Sequence, residues 1–155
     1  MKNAPGLPGS IVLLASASRC FGGARVVAYV ASKHGVIGLL RASQLFAQQY
    51  GIRINAIAPF VTPTRIPAGF AKKWHEAGLE ANRPQRVAEV IGQVAMDPTR
   101  KGFCVLVIAG DYPRELEFTM ARMLAPWLGE DVARSMTSAM QFFQDVGGYV
   151  LPSYR

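Results

Sequence analysis

Acidic side chains are absent from the first half of the sequence. Residues 1–75 contain nine Lys or Arg and no Asp or Glu, whereas residues 76–155 contain eight basic and ten acidic residues. We expect no nucleic acid as partner, because there is no basic run, no recognisable nucleic-acid module and no interleaving of aromatic with basic residues. The asymmetry instead predicts a phosphate-bearing dinucleotide, or an acidic segment, against the first half.

Cysteines and long apolar runs are also scarce. Cys20 and Cys104 have neither metal-ligand spacing nor the number required for a disulfide framework, so we expect two free thiols in a reducing compartment and no metal site. No stretch reaches the roughly 18 apolar residues of a membrane span, and the N-terminal segment lacks the apolar core of a signal peptide. With 155 residues, half of them hydrophobic, the chain is expected to be globular, cytoplasmic and without a membrane partner.

Three side chains suited to proton transfer follow one another in the sequence. A continuous apolar run at residues 11–14 predicts a strand buried on both faces, and it leads into Ser16. Tyr29 and Lys33 lie four residues apart in a helical pattern, so they share one face of the helix. Open α/β sheets bind ligands at the carboxyl ends of their strands, and we expect the hydroxyl, the phenol and the ammonium to converge there.

Such a cluster can transfer a proton at an alcohol or ketone oxygen. A nearby ammonium favours the ionised form of a phenol, which suits the phenol to general acid or base catalysis. A serine hydroxyl can orient a substrate carbonyl and donate to the oxygen on which charge develops. The structural alternative is that Ser16 only caps a strand end and that Tyr29 and Lys33 form an ordinary pair on an amphipathic helix.

Three segments, in their order and spacing, resemble the catalytic half of the short-chain dehydrogenase/reductase family. They are Ser16, the Tyr-Val-Ala-Ser-Lys segment at residues 29–33, and the Gly-Ile-Arg-Ile-Asn-Ala-Ile-Ala-Pro segment at residues 51–59. The likeness is strong over residues 9–64 and looser over residues 83–110. The C-terminal part resembles fungal members that act on polyketide-derived secondary metabolites.

The resemblance implies an oxidoreductase that uses NADP or NAD to interconvert a ketone and a secondary alcohol. Ser16 would stabilise the substrate oxygen, Tyr29 would be the general acid or base, and Lys33 would favour the ionised tyrosine and bond the nicotinamide ribose. The residues expected to contact the cofactor are Tyr29, Lys33, Pro59, Phe60, Val61 and Thr64. Phe60 stands where the family usually has glycine, and its ring is expected to shape the substrate pocket.

The patterns predict an α/β fold, a partial Rossmann-like, doubly wound parallel sheet of about three strands with flanking helices. Strands are expected at residues 11–15, 52–58 and 103–109, and helices at residues 26–50, 71–80, 84–96, 115–127 and 130–143. Residues 1–112 would form the truncated catalytic half, and residues 113–155 a helical extension of the same domain. The methionines of that extension are expected to be core residues.

One part of the family fold has no counterpart in the sequence. The family begins with a strand and a glycine-rich turn that delivers the pyrophosphate to a helix N-terminus. We therefore expect the N-terminal nucleotide-binding half to be absent, and the strand at residues 11–15 to present an unpaired apolar edge. The chain would then form a homo-oligomer, or pair with a partner chain that completes the sheet.

Two other functions stay open at this point. An isomerase, dehydratase or cyclase that acts on an enolisable substrate would need Ser16, Tyr29 and Lys33 but no nicotinamide. A truncated, inactive binding protein would need none of the three.

Overall fold

Strands and helices alternate along the first part of the chain. The computed structural model describes residues 9–20, 26–65, 68–108 and 113–148. The strands are β1 (Gly9–Leu14), β2 (Ile52–Pro59), β3 (Cys104–Val107) and β4 (Arg114–Glu115). A 3₁₀ turn covers Ala17–Arg19, and the helices are α1 (Val27–Ala42), α2 (Gln44–Gln49), α3 (Ala68–Glu76), α4 (Pro84–Met96), α5 (Glu117–Arg122), α6 (Leu124–Leu128) and α7 (Glu130–Asp145). None of the described helices has the length and hydropathy required to cross a membrane.

The strands form one sheet in the order β1-β2-β3-β4. β1 and β3 both pair parallel with β2, and β4 pairs antiparallel with β3. The predicted α/β class with a mostly parallel sheet is therefore confirmed. The prediction of about three strands missed β4, because a strand of two residues is too short to show an alternating pattern.

β2 lies between two apolar cores, one on each face of the sheet. Ala56 and Ala58 pack with Leu40 of α1, whereas Ile57 packs on the opposite face with Val90 of α4. Side chains alternate between the faces of a strand, so neighbouring residues of β2 enter different cores. Leu40, Ile57 and Val90 are at most 1% exposed, and burial of each contributes about 1.5–3 kcal/mol.

Two polar side chains of β2 are buried and bond the end of α4 and the loop that follows it. The Arg53 guanidinium donates to the carbonyl oxygens of Ala95 and Asp97, both at 2.7 Å, and to that of Arg100 at 3.4 Å. The Asn55 amide donates to the same Arg100 oxygen at 3.0 Å. Carbonyl groups at a helix C-terminus lack partners within the helix and favour a nearby cation. Arg53 thus fixes α4 to the sheet.

The long helix expected at residues 26–50 is broken into α1 and α2 at Ser43. The side-chain amide of Gln44 donates to the Leu40 carbonyl oxygen at 2.8 Å, and this is the oxygen that a continuing helix would offer to the Gln44 backbone. Gly51 then ends α2 with a φ of +62°, in the left-handed region that glycine adopts at low cost. The apolar pattern continues through the break at Ser43, so the pattern could not predict the break.

The chain divides into two compact units, Met1–Glu117 and Phe118–Arg155. The predicted division at residue 112 stays a prediction. In the second unit the expectation of core methionines is wrong, since Met123 and Met140 are 55% and 62% exposed and Ala133 is the buried residue of α7. Helical spacing identifies an apolar face, but it does not show whether another element covers that face.

β1 presents the edge of the sheet. Among the described residues β1 pairs with β2 alone, and Ile11 and Leu14 are 44% and 55% exposed. An apolar strand edge can pair with another strand. The expected homo-oligomer or partner chain stays a prediction.

Replacing Arg53 with methionine tests the anchoring of α4. We expect Arg53→Met to lower the free energy of unfolding by about 2–4 kcal/mol, because the carbonyl groups at the end of α4 lose a charged donor. Urea denaturation followed by circular dichroism measures the difference. Arg122→Met, on α5, is the control and should change the value by less than about 0.5 kcal/mol. Equal losses in the two variants would contradict the role of Arg53.

The Asp97 carboxylate links stability to pH. It accepts hydrogen bonds from the Thr99 hydroxyl at 2.6 Å, the Thr99 backbone N–H at 2.9 Å and Arg100 Nε at 2.9 Å. These bonds lower the pKa of Asp97 from 3.8 to about 2. A carboxyl group with a lowered folded-state pKa stabilises the fold above its unfolded pKa, and this contribution disappears as the pH falls through the folded pKa.

We therefore expect Asp97→Asn to be less stable than the parent chain at neutral pH, and the difference to shrink between about pH 4 and about pH 2. Urea midpoints measured across this range test the expectation. A difference that stays constant down to pH 2 would show that the carboxylate charge is not involved.

Candidate active site

Ser16 lies where the chain turns after β1. Its Oγ accepts the backbone N–H of Ser18 at 3.1 Å and so caps the 3₁₀ turn Ala17–Arg19. We call Ser16 and the 3₁₀ turn together the serine turn. Ser16 is 9% exposed. A hydroxyl that accepts one bond retains its own proton for donation, so this serine can still donate to a ligand oxygen.

Lys33 of α1 reaches the end of the same strand. Its ammonium donates to the carbonyl oxygen of Leu14, the last residue of β1, at 2.8 Å. Leu14 is two residues before Ser16, so the Lys33 cation lies at the carboxyl end of β1. An ammonium group has three donors, and two of them remain for other partners.

Tyr29 lies in the first turn of α1, beside Lys33. The Lys33 Nζ atom is 5.5 Å from the centre of the tyrosine ring, within the range of a cation–π contact. Tyr29 is 39% exposed, so a ligand can reach it. α1 also contacts the serine turn. The structure thus brings Tyr29 and Lys33 together, as their helical spacing predicts, at the strand end that precedes Ser16.

The cofactor-contact residues expected from the resemblance follow one another at the end of β2. Pro59 ends β2, and the Phe60 backbone N–H donates to the carbonyl oxygen of Val107 in β3 at 2.8 Å. Val61 is half-buried, and Thr64 is exposed in the segment before α3. Because β1 and β2 are parallel, this segment leaves the same edge of the sheet as the serine turn.

Asn82 fixes the segment after β2 and has no distinguishing sequence pattern. It is 5% exposed, and its backbone N–H donates to the Val61 carbonyl oxygen at 2.8 Å. Its side-chain amide donates to the Val107 carbonyl oxygen at 2.8 Å and to the Thr62 hydroxyl at 3.3 Å. This role could not be predicted, because a single asparagine before a helix carries no signal of long-range contact.

A groove of about 680 Å³ lies between the segment after β2, α3 and residues 78–83. Its lining residues are Val61, Pro63, Ala71, Trp74, His75, Gly78, Leu79, Glu80, Ala81 and Arg83. Trp74 contacts Phe60 and Phe70, with ring centres 5.6 and 6.2 Å apart. The Trp74 indole donates to the Glu80 carbonyl oxygen at 3.0 Å, which fixes the ring. The size and the aromatic wall suit a small organic ligand.

A buried cation supports the serine turn and was also missed. Arg19 Nη1 donates to Glu117 Oε1 at 2.7 Å, and the Arg19 side chain is 4% exposed. Burial opposes the charge of Arg19, but contacts with Cys104 and Glu117 raise its pKa, so the guanidinium stays protonated. Burial also raises the pKa of the Cys104 thiol, which therefore stays neutral. The lack of acidic residues near Arg19 in the sequence indicated that any carboxylate partner of Arg19 must come from the second half of the chain.

The described residues contain no group of three or more His, Cys, Asp or Glu placed to hold a metal ion. The side chains that the structure shows at the end of β1 are a hydroxyl, a phenol and an ammonium, and these can transfer a proton, donate to an oxygen and attract an anion.

Comparison with known proteins gives matches centred on this region. Residues 2–74 match the sequence model of a family described as short chain dehydrogenase. Zerumbone synthase of Zingiber zerumbet is 40% identical over 62 residues, which are 40% of this chain and 23% of that protein. Cyclohexanol dehydrogenase of Acinetobacter sp. (strain SE19) is 37% identical over 93 residues, which are 57% of this chain and 37% of that protein.

The fold is also similar to that of a solved structure, 4-hydroxyisoleucine dehydrogenase complexed with NADH. The TM-score is 0.60 at 27% identity, over 67% of this chain and 47% of that chain. The matched parts thus span less than half the length of each of these three proteins. The chain is thus similar to short-chain dehydrogenases over residues 2–74 and in the fold of its parallel sheet.

Proposed function

We propose that the protein is an NAD(P)-linked oxidoreductase that interconverts a secondary alcohol and a ketone. The observation that carries the proposal is the position of Lys33, which donates to the last carbonyl of β1 and lies over the Tyr29 ring. The contact places an ammonium, and an accessible phenol beside it, at Leu14, which is two residues before Ser16. The similarity of residues 2–74 to short-chain dehydrogenases supports a redox role for the three residues.

Each residue has a distinct task in the proposed reaction. A bound nicotinamide supplies a hydride to the carbonyl carbon of the ketone, or accepts one from the alcohol. Tyr29 gives its phenolic proton to the carbonyl oxygen during reduction and takes it back during oxidation, so the proton balance closes. Ser16 donates a hydrogen bond to that oxygen, on which negative charge develops in the transition state. Lys33 holds the helix of Tyr29 at the end of β1 through its bond to the Leu14 carbonyl oxygen.

The described residues fit the nicotinamide and ribose end of such a cofactor. The two unused donors of Lys33 suit the hydroxyl groups of a ribose. The segment from Pro59 to Thr64 leaves the same edge of the sheet, and its backbone is held in place by Asn82. Within the part of the chain that the structure describes, no glycine-rich turn opens a helix, so we assign no residue to the pyrophosphate.

We further propose that the substrate carries an apolar ring. The Trp74 ring lines the groove beside Val61, and Phe60 and Phe70 each contact that ring. Ring systems pack well on aromatic surfaces. One relative bears the name cyclohexanol dehydrogenase, which fits a cyclic alcohol. A polyketide-derived ketone, as expected from the C-terminal resemblance, would belong to the same class of substrate.

Removal of the Tyr29 hydroxyl tests the proposed function. We expect the parent chain to oxidise NADPH or NADH in the presence of cyclohexanone, and Tyr29→Phe to be about 10²–10⁴-fold slower, because the general acid is lost. Absorbance of the reduced nicotinamide follows the reaction. Tyr50→Phe is the matched control and should keep full activity, because Tyr50 is exposed after α2 and stacks on Phe46.

Equal rates for Tyr29→Phe and the parent chain would contradict the proposal. So would a parent chain that neither binds nor oxidises either nicotinamide at millimolar concentration. Turnover of a ring ketone without any nicotinamide, lost in Tyr29→Phe, would instead identify a cofactor-independent isomerase, dehydratase or cyclase.

Substitution of Phe60 tests the substrate class. Phe60 contacts Trp74, which lines the groove. We expect Phe60→Gly to favour larger ketones, because loss of the phenyl ring behind Trp74 leaves room for the indole to move and the groove to widen. The ratio of kcat/KM for a fused bicyclic ketone to that for cyclohexanone should rise about tenfold. Phe46→Gly, on α2, controls for the loss of a phenyl ring that contacts Tyr50 instead. An unchanged ratio would show that Phe60 does not shape the substrate site.

A further inference from the structure

Glu117 connects the two elements that carry the proposed catalytic residues. One carboxylate oxygen accepts from Arg19 of the serine turn at 2.7 Å. The other accepts from Nε of Arg41 at 2.6 Å, and Arg41 belongs to α1, the helix of Tyr29 and Lys33. A single side chain therefore bonds both the turn that begins at Ser16 and the helix opposite it.

The Glu117 backbone is itself fixed to the sheet. Its N–H donates to Glu115 Oε1 at 2.7 Å, and Glu115 lies in β4. The preceding N–H, that of Leu116, donates to the Cys104 carbonyl oxygen in β3 at 2.8 Å. The carboxylate thus extends from a segment that is hydrogen-bonded to two strands, and it can hold the serine turn and α1 in a fixed position.

The charge distribution of the chain favours this contact. Arg19 is buried and charged, and residues 1–75 contain no acidic side chain that could pair with it. A buried guanidinium without a counterion is strongly unfavourable, so the turn is driven to the place where a carboxylate is available. Glu117 is 13% exposed and provides that carboxylate from 98 residues further along the chain.

We propose that Glu117 is a positioning residue that holds the serine turn against α1 and thereby fixes Ser16 relative to Tyr29 and Lys33. The structural part of this inference is independent of the reaction, whereas its effect on turnover rests on the proposed function. The carboxylate touches no reacting atom. It acts through Arg19, three residues after Ser16, and through Arg41.

Hydrogen exchange in the full chain tests the structural part directly. The backbone N–H groups of Arg19 and Cys20 donate to the carbonyl oxygens of Ser16 and Ala17, both at 3.0 Å, and these bonds define the serine turn. In Glu117→Gln, which keeps the side-chain size and removes the charge, we expect these two amides to exchange at least about tenfold faster by NMR. The Ala56 amide within the sheet should change less than about twofold.

Two variants separate the role of Glu117 from a general loss of an ion pair. Glu89→Gln removes a surface carboxylate that pairs with Arg86 at 3.1 Å, and it should leave the exchange of the Arg19 and Cys20 amides unchanged. Glu117→Asp keeps the charge and should restore part of the protection. If Glu117→Gln does not fold, Arg19→Met removes the other half of the buried pair and should loosen the same two amides.

The catalytic part has its own measurement. With cyclohexanone and NADPH we expect Glu117→Gln to lower kcat about 10²-fold, the cost of a catalytic group displaced by roughly 1 Å, with little change in KM. Glu117→Asp should recover part of kcat.

Unchanged exchange of the Arg19 and Cys20 amides in Glu117→Gln would overturn the inference, and so would faster exchange with an unchanged kcat in an active parent. If the parent chain has no activity, the proposed function fails, and the exchange data alone then decide whether Glu117 holds the serine turn.

Discussion

The parallel pairing of β1 with β2 is the constraint on which the candidate site depends. Parallel strands end at the same edge of a sheet, so Ser16 after β1 and Phe60 after β2 emerge side by side although 44 positions separate them in the sequence. Packing of both faces of β2 against α1 and α4 fixes this edge, because a shift of one residue would move Ile57 and Ala58 into the wrong cores. The Lys33 bond to Leu14 then attaches the helix of the tyrosine to the end of β1.

Local patterns in the sequence predicted the elements that carry the strongest signals. The apolar run before Ser16, the glycine at residue 51 and the proline at residue 84 marked a strand end, a helix end and a helix start, and each lies at or close to the boundary in the structure. The four-residue spacing of Tyr29 and Lys33 also predicted their contact. These features depend on neighbouring residues only, so a sequence is sufficient to reveal them.

Features that depend on distant residues could not be predicted in the same way. Asn82 bonds the ends of β2 and β3, and Glu117 neutralises Arg19, but neither residue belongs to a local pattern. The break at Ser43 depends on a side-chain bond from Gln44 to the helix backbone, and the exposed methionines of α7 depend on what covers that helix. The charge asymmetry indicated a phosphate-bearing dinucleotide or an acidic segment against the basic first half, but it did not indicate which acidic residue would contact Arg19.

The same charges bear on the binding of an anionic cofactor. Glu117 is shared by two guanidinium groups, so one unit of positive charge remains on that cluster. Arg41 is 53% exposed, and solvent and salt screen an exposed charge within about 10 Å. The electrostatic effect of this cluster on a ligand at the edge of the sheet is therefore weak. Lys33 lies at that edge, and its bond to Leu14 uses one of its three donors. In the proposed function Lys33 would therefore act on the cofactor through direct hydrogen bonds, whereas the carboxylate of Glu117 serves the geometry of the site.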